Sequence, residues 1–329
     1  MATGHRRPKA LVTAPVAGPG LELLGQIADL VVDPWIDNNP IRIYNAEQLA
    51  ERAEKEDADI LIVEADNCSG PVFARDLIAV CSARGDPNNV NVEEATKAGV
   101  PVIRAPGRNA DAVAEITVAL LLAATRGVVQ ADLDVRNGDV YKDGTIPYQR
   151  YRAWQIAGRT AGLVGLGAVG RATKWRLEGL GMKVIASDPY ADDATFTLDE
   201  LLERSDVVSM HVGVNAGTTG MIGKAEFDKM RDGVVYLNSA RAQLHDTDAL
   251  VAALQSGKVS AAGLDHFEGE WLAPDHPLAL MKNVVLTPHI GGATYDTEVN
   301  HTTIIANDLV RLLAGAKPLN CINPEVLGR

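Results

Sequence analysis

The sequence predicts an α/β protein built from two doubly wound parallel sheets. Three observations carry this expectation. Short apolar runs alternate with helical patterns through both halves of the chain, and strands separated by helices form parallel sheets with helices on their faces. One strand–helix junction reads Gly165-x-Gly167-x-x-Gly170, and the strand after it ends at Asp188. The length, 329 residues, allows two domains that each bury a core.

In the first half, residues 9–13 read as a strand and 21–28 as a helix. Strands follow at 59–63 and 77–81, then a short helix at 92–98 stopped by Gly99, and a strand at 100–103. This first α/β unit has no Gly-rich fingerprint. Residues 109–126 form a long helix that is apolar nearly all round after Glu115, so it is buried on most faces, either in the core or at a subunit interface. Residues 132–149 are polar, with Gly138, Gly144 and Pro147, and read as a connecting segment.

The second half opens with an apolar strand at 161–164, the three glycines, and a helix at 171–180. Gly165 turns the chain, Gly167 lets a pyrophosphate approach the backbone, and Gly170 lets helix meet strand. The amides and dipole at the helix start, at Ala168 and Val169, favour an anion. A second strand, 183–187, ends at Asp188, about 20 residues beyond the last glycine, where a carboxylate accepts from ribose hydroxyls. A glycine-rich turn with a surface aspartate is the bland alternative, and the strand–turn–helix–strand context argues against it. The chain is expected to bind a dinucleotide, NAD rather than NADP, because Asp188 would repel a 2′-phosphate. Further elements follow: a helix at 198–204, strands at 207–210 and 234–237, a helix at 246–255 closed by Gly257, strands at 259–264 and 283–286, and a last helix at 302–314.

Composition excludes several classes. A net charge of −12 argues against non-specific nucleic-acid binding and against anionic membranes. Cys68, Cys81 and Cys321 form no CxxC pair and read as small core hydrophobes, with no metal cluster implied. His5, Arg6, Arg7 and Lys9 resemble the start of a secretion signal, but the apolar stretch after them is too short. The apolar run 116–124 is far short of a bilayer span. The expected location is cytoplasmic.

Polar residues follow several strands of the second half: His211, Arg241, Asp265 and His289, with Glu270 in the loop after Asp265. Strand C-termini are where α/β sheets hold ligands. An arginine, an acid and a histidine there could hold a carboxylate, tune a base and move a proton. By the residues alone these could equally be structural, with Arg241 paired to Asp246 or Asp248.

Four ordered motifs add a resemblance: Gly162-Leu-Val-Gly-Leu-Gly-Ala-Val-Gly170, Leu237-Asn-Ser-Ala-Arg241, Gly263-Leu-Asp-His-Phe-Glu268 and Leu286-Thr-Pro-His-Ile-Gly-Gly292. With residues 93–102 of the first half, they make the chain resemble the D-isomer-specific 2-hydroxyacid dehydrogenases over nearly its whole length. The resemblance implies two Rossmann-like domains, a substrate domain of residues 1–108 completed by 295–329 and an NAD domain of 109–294, with the active site in the cleft between them. It implies that Arg241, Glu270 and His289 are the catalytic set, with Arg241 also on the substrate carboxylate. It implies that Gly165, Gly167, Ala168, Val169, Gly170, Asp188, His211, Thr218, Ser239, Ala240, Asp265 and Gly291 line the cofactor, Asp265 on the nicotinamide side. Members are usually homodimers. The implied reaction interconverts a 2-oxo acid and a D-2-hydroxy acid by hydride transfer, running as a reductase. Formate- and phosphite-type hydride donors are a variant reading within the same architecture. An NAD(H)-sensing corepressor-like interaction protein is the alternative from another class.

The chain departs from the family pattern in the substrate loop. Where relatives offer backbone amides to the carboxylate, residues 81–89 include Ala83, Arg84 and Gly85. Arg84 could meet a second anion, a phosphate, phosphonate or second carboxylate, or equally pair with Asp86 or point to solvent; Arg104 and Arg108 are further basic candidates, Arg108 the better one. Ala242, Trp271 and Gly213 are smaller departures, the first two able to reshape substrate choice.

Overall fold

The computed structural model describes residues 6–328; His5, at the head of the basic cluster, lies outside the described residues, as does Arg329. The chain divides into two compact units, one of residues up to Arg108 together with those from Thr294 onward, the other Asn109–Ala293.

The first unit holds a five-stranded parallel sheet. Its strands are β1 (Lys9–Val12), β2 (Asp29–Val32), β3 (Ile60–Val63), β4 (Ala79–Ser82) and β5 (Val102–Ile103), in the order β2-β1-β3-β4-β5. Side chains alternate across a strand, and β3 shows the consequence. Ile60 and Ile62 face a cluster with Leu24 and with Ile305 and Leu309 of the last helix. Leu61 and Val63 face the opposite cluster, with Leu49, Val72 and Phe73. All four are fully buried, as expected for a sheet covered on both faces. Cys68 and Cys81 are buried free thiols in these two clusters, and burial pushes the Cys68 thiol up to about 12.

The second unit holds six parallel strands: β6 (Thr160–Val164), β7 (Lys183–Ser187), β8 (Val207–Met210), β9 (Val234–Asn238), β10 (Val259–Leu264) and β11 (Val284–Leu286), in the order β11-β10-β9-β8-β6-β7. The same alternation divides β9: Val234 and Tyr236 join Phe227 and Leu250 on one face, while Val235 and Leu237 join Leu120, Leu121 and Leu177 on the other. Leu120 and Leu121 belong to the helix Ala110–Arg126, which buries Val113, Ala114 and Thr117 as well. Its remaining apolar positions are only partly covered within the unit.

Besides short helices at Pro147–Arg150, Lys224–Lys229 and Pro277–Leu280 that went unread, four features differ from the expectation. β2 went unread because it is a four-residue edge strand with exposed ends. The helix Ala46–Lys55 went unread although Ala46, Leu49, Ala50 and Ala53 fall at i, i+3, i+4 and i+7; the stripe is made mostly of alanine, and the Asn45/Gln48 capping box marks its start. The segment 132–149 is not all connection, since a helix runs Val128–Arg136, supported by an Asp132–Arg136 pair one turn apart. It bends 65° from the preceding helix, at Gly127, which adopts φ 59°. The last helix begins at Tyr295, not 302, because Thr294 caps it by accepting from Thr297 N and because it buries polar Thr297, His301 and Thr302. No single helix among the described residues is long and apolar enough to cross a membrane.

Helix Pro19–Ile27 meets that last helix at Gly20, where an added Cβ would lie 2.6 Å from backbone atoms of Thr302 and Thr303. Gly25 of the same helix has open space around it. Gly20→Ala is therefore expected to destabilise the first unit by about 1–3 kcal/mol, as overpacking does, while Gly25→Ala is neutral or slightly stabilising. Urea midpoints of the two variants check this; equal midpoints would contradict the close helix crossing.

Candidate active site

The glycine turn of the second unit is built for close approach. Gly165 follows β6 with φ 98°, and a Cβ there would lie 2.6 Å from the His211 carbonyl oxygen. A Cβ at Gly170 would lie 2.3 Å from the Gly165 carbonyl oxygen, so the helix Ala168–Gly179 meets the turn only with glycine there. Gly167 is the N-cap of that helix, has no side-chain cap, and faces open space. The first helical amides, from Ala168 and Val169 on, thus stand at an uncrowded helix start, where an anion is favoured. Asp188 ends β7 beside it, accepting from Leu166 N at 2.7 Å and Tyr190 N at 2.8 Å. Both oxygens are held by backbone, and each keeps lone-pair capacity for a hydroxyl. An open glycine cradle with a fixed carboxylate at its side fits a dinucleotide.

Other residues expected at the cofactor are held by their own neighbours. His211 sits at the end of β8 with its ring Nε2 2.9 Å from Ser209 Oγ. Its Nδ1 is buried with no hydrogen-bond partner among the described residues, and burial pushes the ring down to about 4, favouring the neutral imidazole. The Thr218 hydroxyl donates to the Gly213 carbonyl at 2.7 Å and accepts from Asn215 N. Ser239 shares a 2.6 Å hydrogen bond with Thr117, and Ala240 N donates to Asn238 Oδ1 at 3.0 Å.

Two of the residues expected to be catalytic, Glu270 and His289, lie past β10 and β11. His289 Nδ1 is 3.0 Å from Glu270 Oε2, with both side chains about half exposed. Both residues have positive φ, 55° and 58°, an uncommon conformation for side-chain-bearing residues that persists where surroundings impose it. For His289 the surroundings are Asp265. This fully buried carboxylate accepts from Thr287 Oγ1 at 2.6 Å, Ile290 N at 2.9 Å and Gly291 N at 2.7 Å, while His289 N donates to the Asp265 carbonyl. The residue expected to face the cofactor thus turns its carboxylate to the loop that presents the histidine. A Cβ at Gly291 would sit 2.8 Å from Asp265 Oδ2, so the tight contact needs glycine.

Arg241 is exposed just past β9, with Nη1 donating to the Ala240 carbonyl at 2.6 Å. Asn238 grips its backbone at both ends, donating to Arg241 O and accepting from Arg241 N. Sequence reasoning assigned nothing to His266, which lies one residue past Asp265 in the same motif. Its ring is 3.8 Å from the His289 ring, centroid to centroid, and its Nε2 is 3.5 Å from Arg241 Nη1. The only legible signal was its place four residues before Glu270. His266, Glu270 and His289 offer ligand atoms that all lie within 4.8 Å of one another. Tetrahedral zinc would draw them to about 3.4 Å, while Glu270 and His289 already bond each other. Ala242 and Trp271, two of the departures, line with His266 and Phe267 a cavity of about 240 Å³.

In the first unit, Ala83, Arg84 and Gly85 follow β4. Arg84 Nε donates to the Glu64 carbonyl and Nη1 to Asn88 Oδ1, both at 2.7 Å. Arg104 donates to the Gly85 carbonyl. Arg108 pairs with Glu64 and approaches His301 Nδ1 at 2.9 Å.

The grip on Arg241 has a pH signature. Buried His245 accepts from Asn238 Nδ2 at 2.9 Å through Nδ1, so it works as the neutral ring, and burial pushes it down to about 4. The unfolded ring titrates near 6.5, so the unfolded chain takes up the proton first as pH falls. The associated stability is full above pH 6.5 and declines between 6.5 and 4, by on the order of 3 kcal/mol. Melting curves from pH 7 to 4 are expected to fall more steeply for the wild type than for His245→Gln; parallel curves would contradict a buried neutral His245.

Comparison with known proteins agrees with this geometry. Residues 118–291 match the family described as D-isomer specific 2-hydroxyacid dehydrogenase, NAD binding domain. A glyoxylate reductase of Thermofilum pendens is 37% identical over 98% of this chain and 96% of its own. A D-3-phosphoglycerate dehydrogenase of Archaeoglobus fulgidus is 38% identical over 76% of this chain, a match that spans 48% of that longer protein. The crystal structure of a glyoxylate reductase from Paecilomyes thermophila superposes with a TM-score of 0.77 at 26% identity, covering 98% of this chain and 100% of that one. The chain belongs to the D-isomer-specific 2-hydroxyacid dehydrogenase family and is an NAD-dependent enzyme of it.

Proposed function

We propose that the protein reduces a small 2-oxo acid to the D-2-hydroxy acid, with Arg241, Glu270 and His289 as its catalytic residues. The observation that carries this reading is the His289 Nδ1–Glu270 Oε2 hydrogen bond, displayed on a loop anchored by Asp265. With Nδ1 committed to the carboxylate, Nε2 is the nitrogen left to exchange a proton with substrate. The protonated ring donates from Nε2 to the carbonyl oxygen during reduction, and Glu270 steadies the cation that this requires. The nicotinamide, when bound, supplies the hydride to the carbonyl carbon. Arg241 retains N–H donors beyond the Ala240 contact and forks onto the substrate carboxylate, polarising the neighbouring carbonyl. Asp188, held by two amides, accepts from the ribose hydroxyls and disfavours a 2′-phosphate, which makes NADH the preferred reductant.

The relative matched over nearly its full length is named a glyoxylate reductase, which favours a small monoanionic substrate. A second reading, from the loop after β4, has Arg84 recognising a second anion; its side chain is fixed there by Glu64 and Asn88.

Both are tested by NADH oxidation against glyoxylate, hydroxypyruvate and phosphonopyruvate. His289→Ala is expected to lower kcat by about 100- to 10,000-fold for every substrate. Arg84→Ala raising KM only for phosphonopyruvate supports the second anion, and equal effects on all three remove it. An unchanged kcat in His289→Ala contradicts the assignment of the proton donor.

A further inference from the structure

We propose that His266 is a positioning residue that couples the carboxylate-binding arginine to the proton donor. The inference rests on the roles proposed above for Arg241, Glu270 and His289. His266 is 4% exposed at the end of β10, beneath three groups that are all exposed. Its ring lies 3.8 Å from that of His289 with the planes inclined at 51°, so it forms a floor for one face of the donor. Its Nε2 approaches Arg241 Nη1 at 3.5 Å, and its Nδ1 approaches Glu270 Oε1 at 3.8 Å.

These contacts select one protonation state. A guanidinium only donates, so Nε2 must carry the lone pair, and the ring proton sits on Nδ1, facing the carboxylate. Burial pushes His266 down to about 4, with His289 and Arg241 acting in the same direction and Glu270 against them. The ring is thus neutral at working pH and does not compete with His289 for the transferred proton. Glu270 stands between two imidazoles, Oε2 on His289 and Oε1 towards His266. Arg241 and His289 reach the site from different strands, and His266 is the side chain that touches both. An aliphatic side chain here would fill the space but leave Arg241 Nη1 with the Ala240 carbonyl alone, removing the contact that ties the guanidinium to the His289 side of the site.

Two variants separate the ring from its nitrogen. His266→Phe keeps an aromatic floor and removes the acceptor; His266→Gln keeps an acceptor and removes the floor. The expected result is a KM for glyoxylate raised about ten-fold in His266→Phe with kcat little changed, as for loss of substrate binding alone. His266→Gln is expected to keep the wild-type KM and lose about ten-fold in kcat, since the donor is misplaced. NADH binding by fluorescence should match the wild type in both, showing that the fold is intact. Wild-type KM and kcat in both variants, or equal losses of kcat and NADH affinity in both, would overturn the proposal. If the wild type itself reduces none of the 2-oxo acids, the functional reading fails, a result distinct from a failure confined to His266.

Discussion

A single buried carboxylate ties together two strand ends of the second unit. Asp265 is fully buried, and its two oxygens accept three hydrogen bonds from residues 287, 290 and 291. An unpaired buried carboxylate would be costly; one that meets three donors becomes a rigid clamp. The clamp joins the end of β10 to the loop after β11 and holds His289 at a positive φ, an uncommon conformation for a residue with a side chain. The same loop needs glycine at 291 because the carboxylate lies so close. The glycine in the motif, the positive φ and the placement of the His289 side chain therefore all trace to one interaction.

The rest of the unit works by a similar logic of neutral, buried polar groups behind charged, exposed ones. Asn238 and His245 fix the backbone of Arg241 without adding charge, and His266 lies neutral beneath His289. Parallel strands make this possible, because they deliver residues 211, 241, 265 and 289 at the carboxyl ends of four neighbouring strands. At the same end of the sheet the glycine turn leaves space for a pyrophosphate around Gly167, and Asp188 stands beside it.

Much of this was legible in the sequence. The α/β class, the dinucleotide turn and the family follow from glycine spacing, strand alternation and four ordered motifs, and the six strands of the second unit lie where apolar runs place them. The reading failed where apolar periodicity was weak. β2 is a short edge strand, the helix Ala46–Lys55 has an apolar stripe of three alanines and one leucine, and the start of the last helix buries threonines and a histidine. Site geometry was less legible than site identity. Nothing in the order of residues shows that Asp265 would face the 287–291 loop, or that His266 would lie against His289. Those facts depend on where two strands end relative to each other, which register and burial decide.

The most direct test of this account is Asp265→Asn, which keeps the side chain's shape and removes part of its accepting capacity. Turnover of glyoxylate and NADH affinity should be measured together. If Asp265 serves chiefly to present His289, kcat falls about 100-fold, the scale of a misplaced catalytic group, while NADH affinity changes little. An unchanged kcat, or a loss confined to NADH binding, would contradict the clamp and return Asp265 to the cofactor.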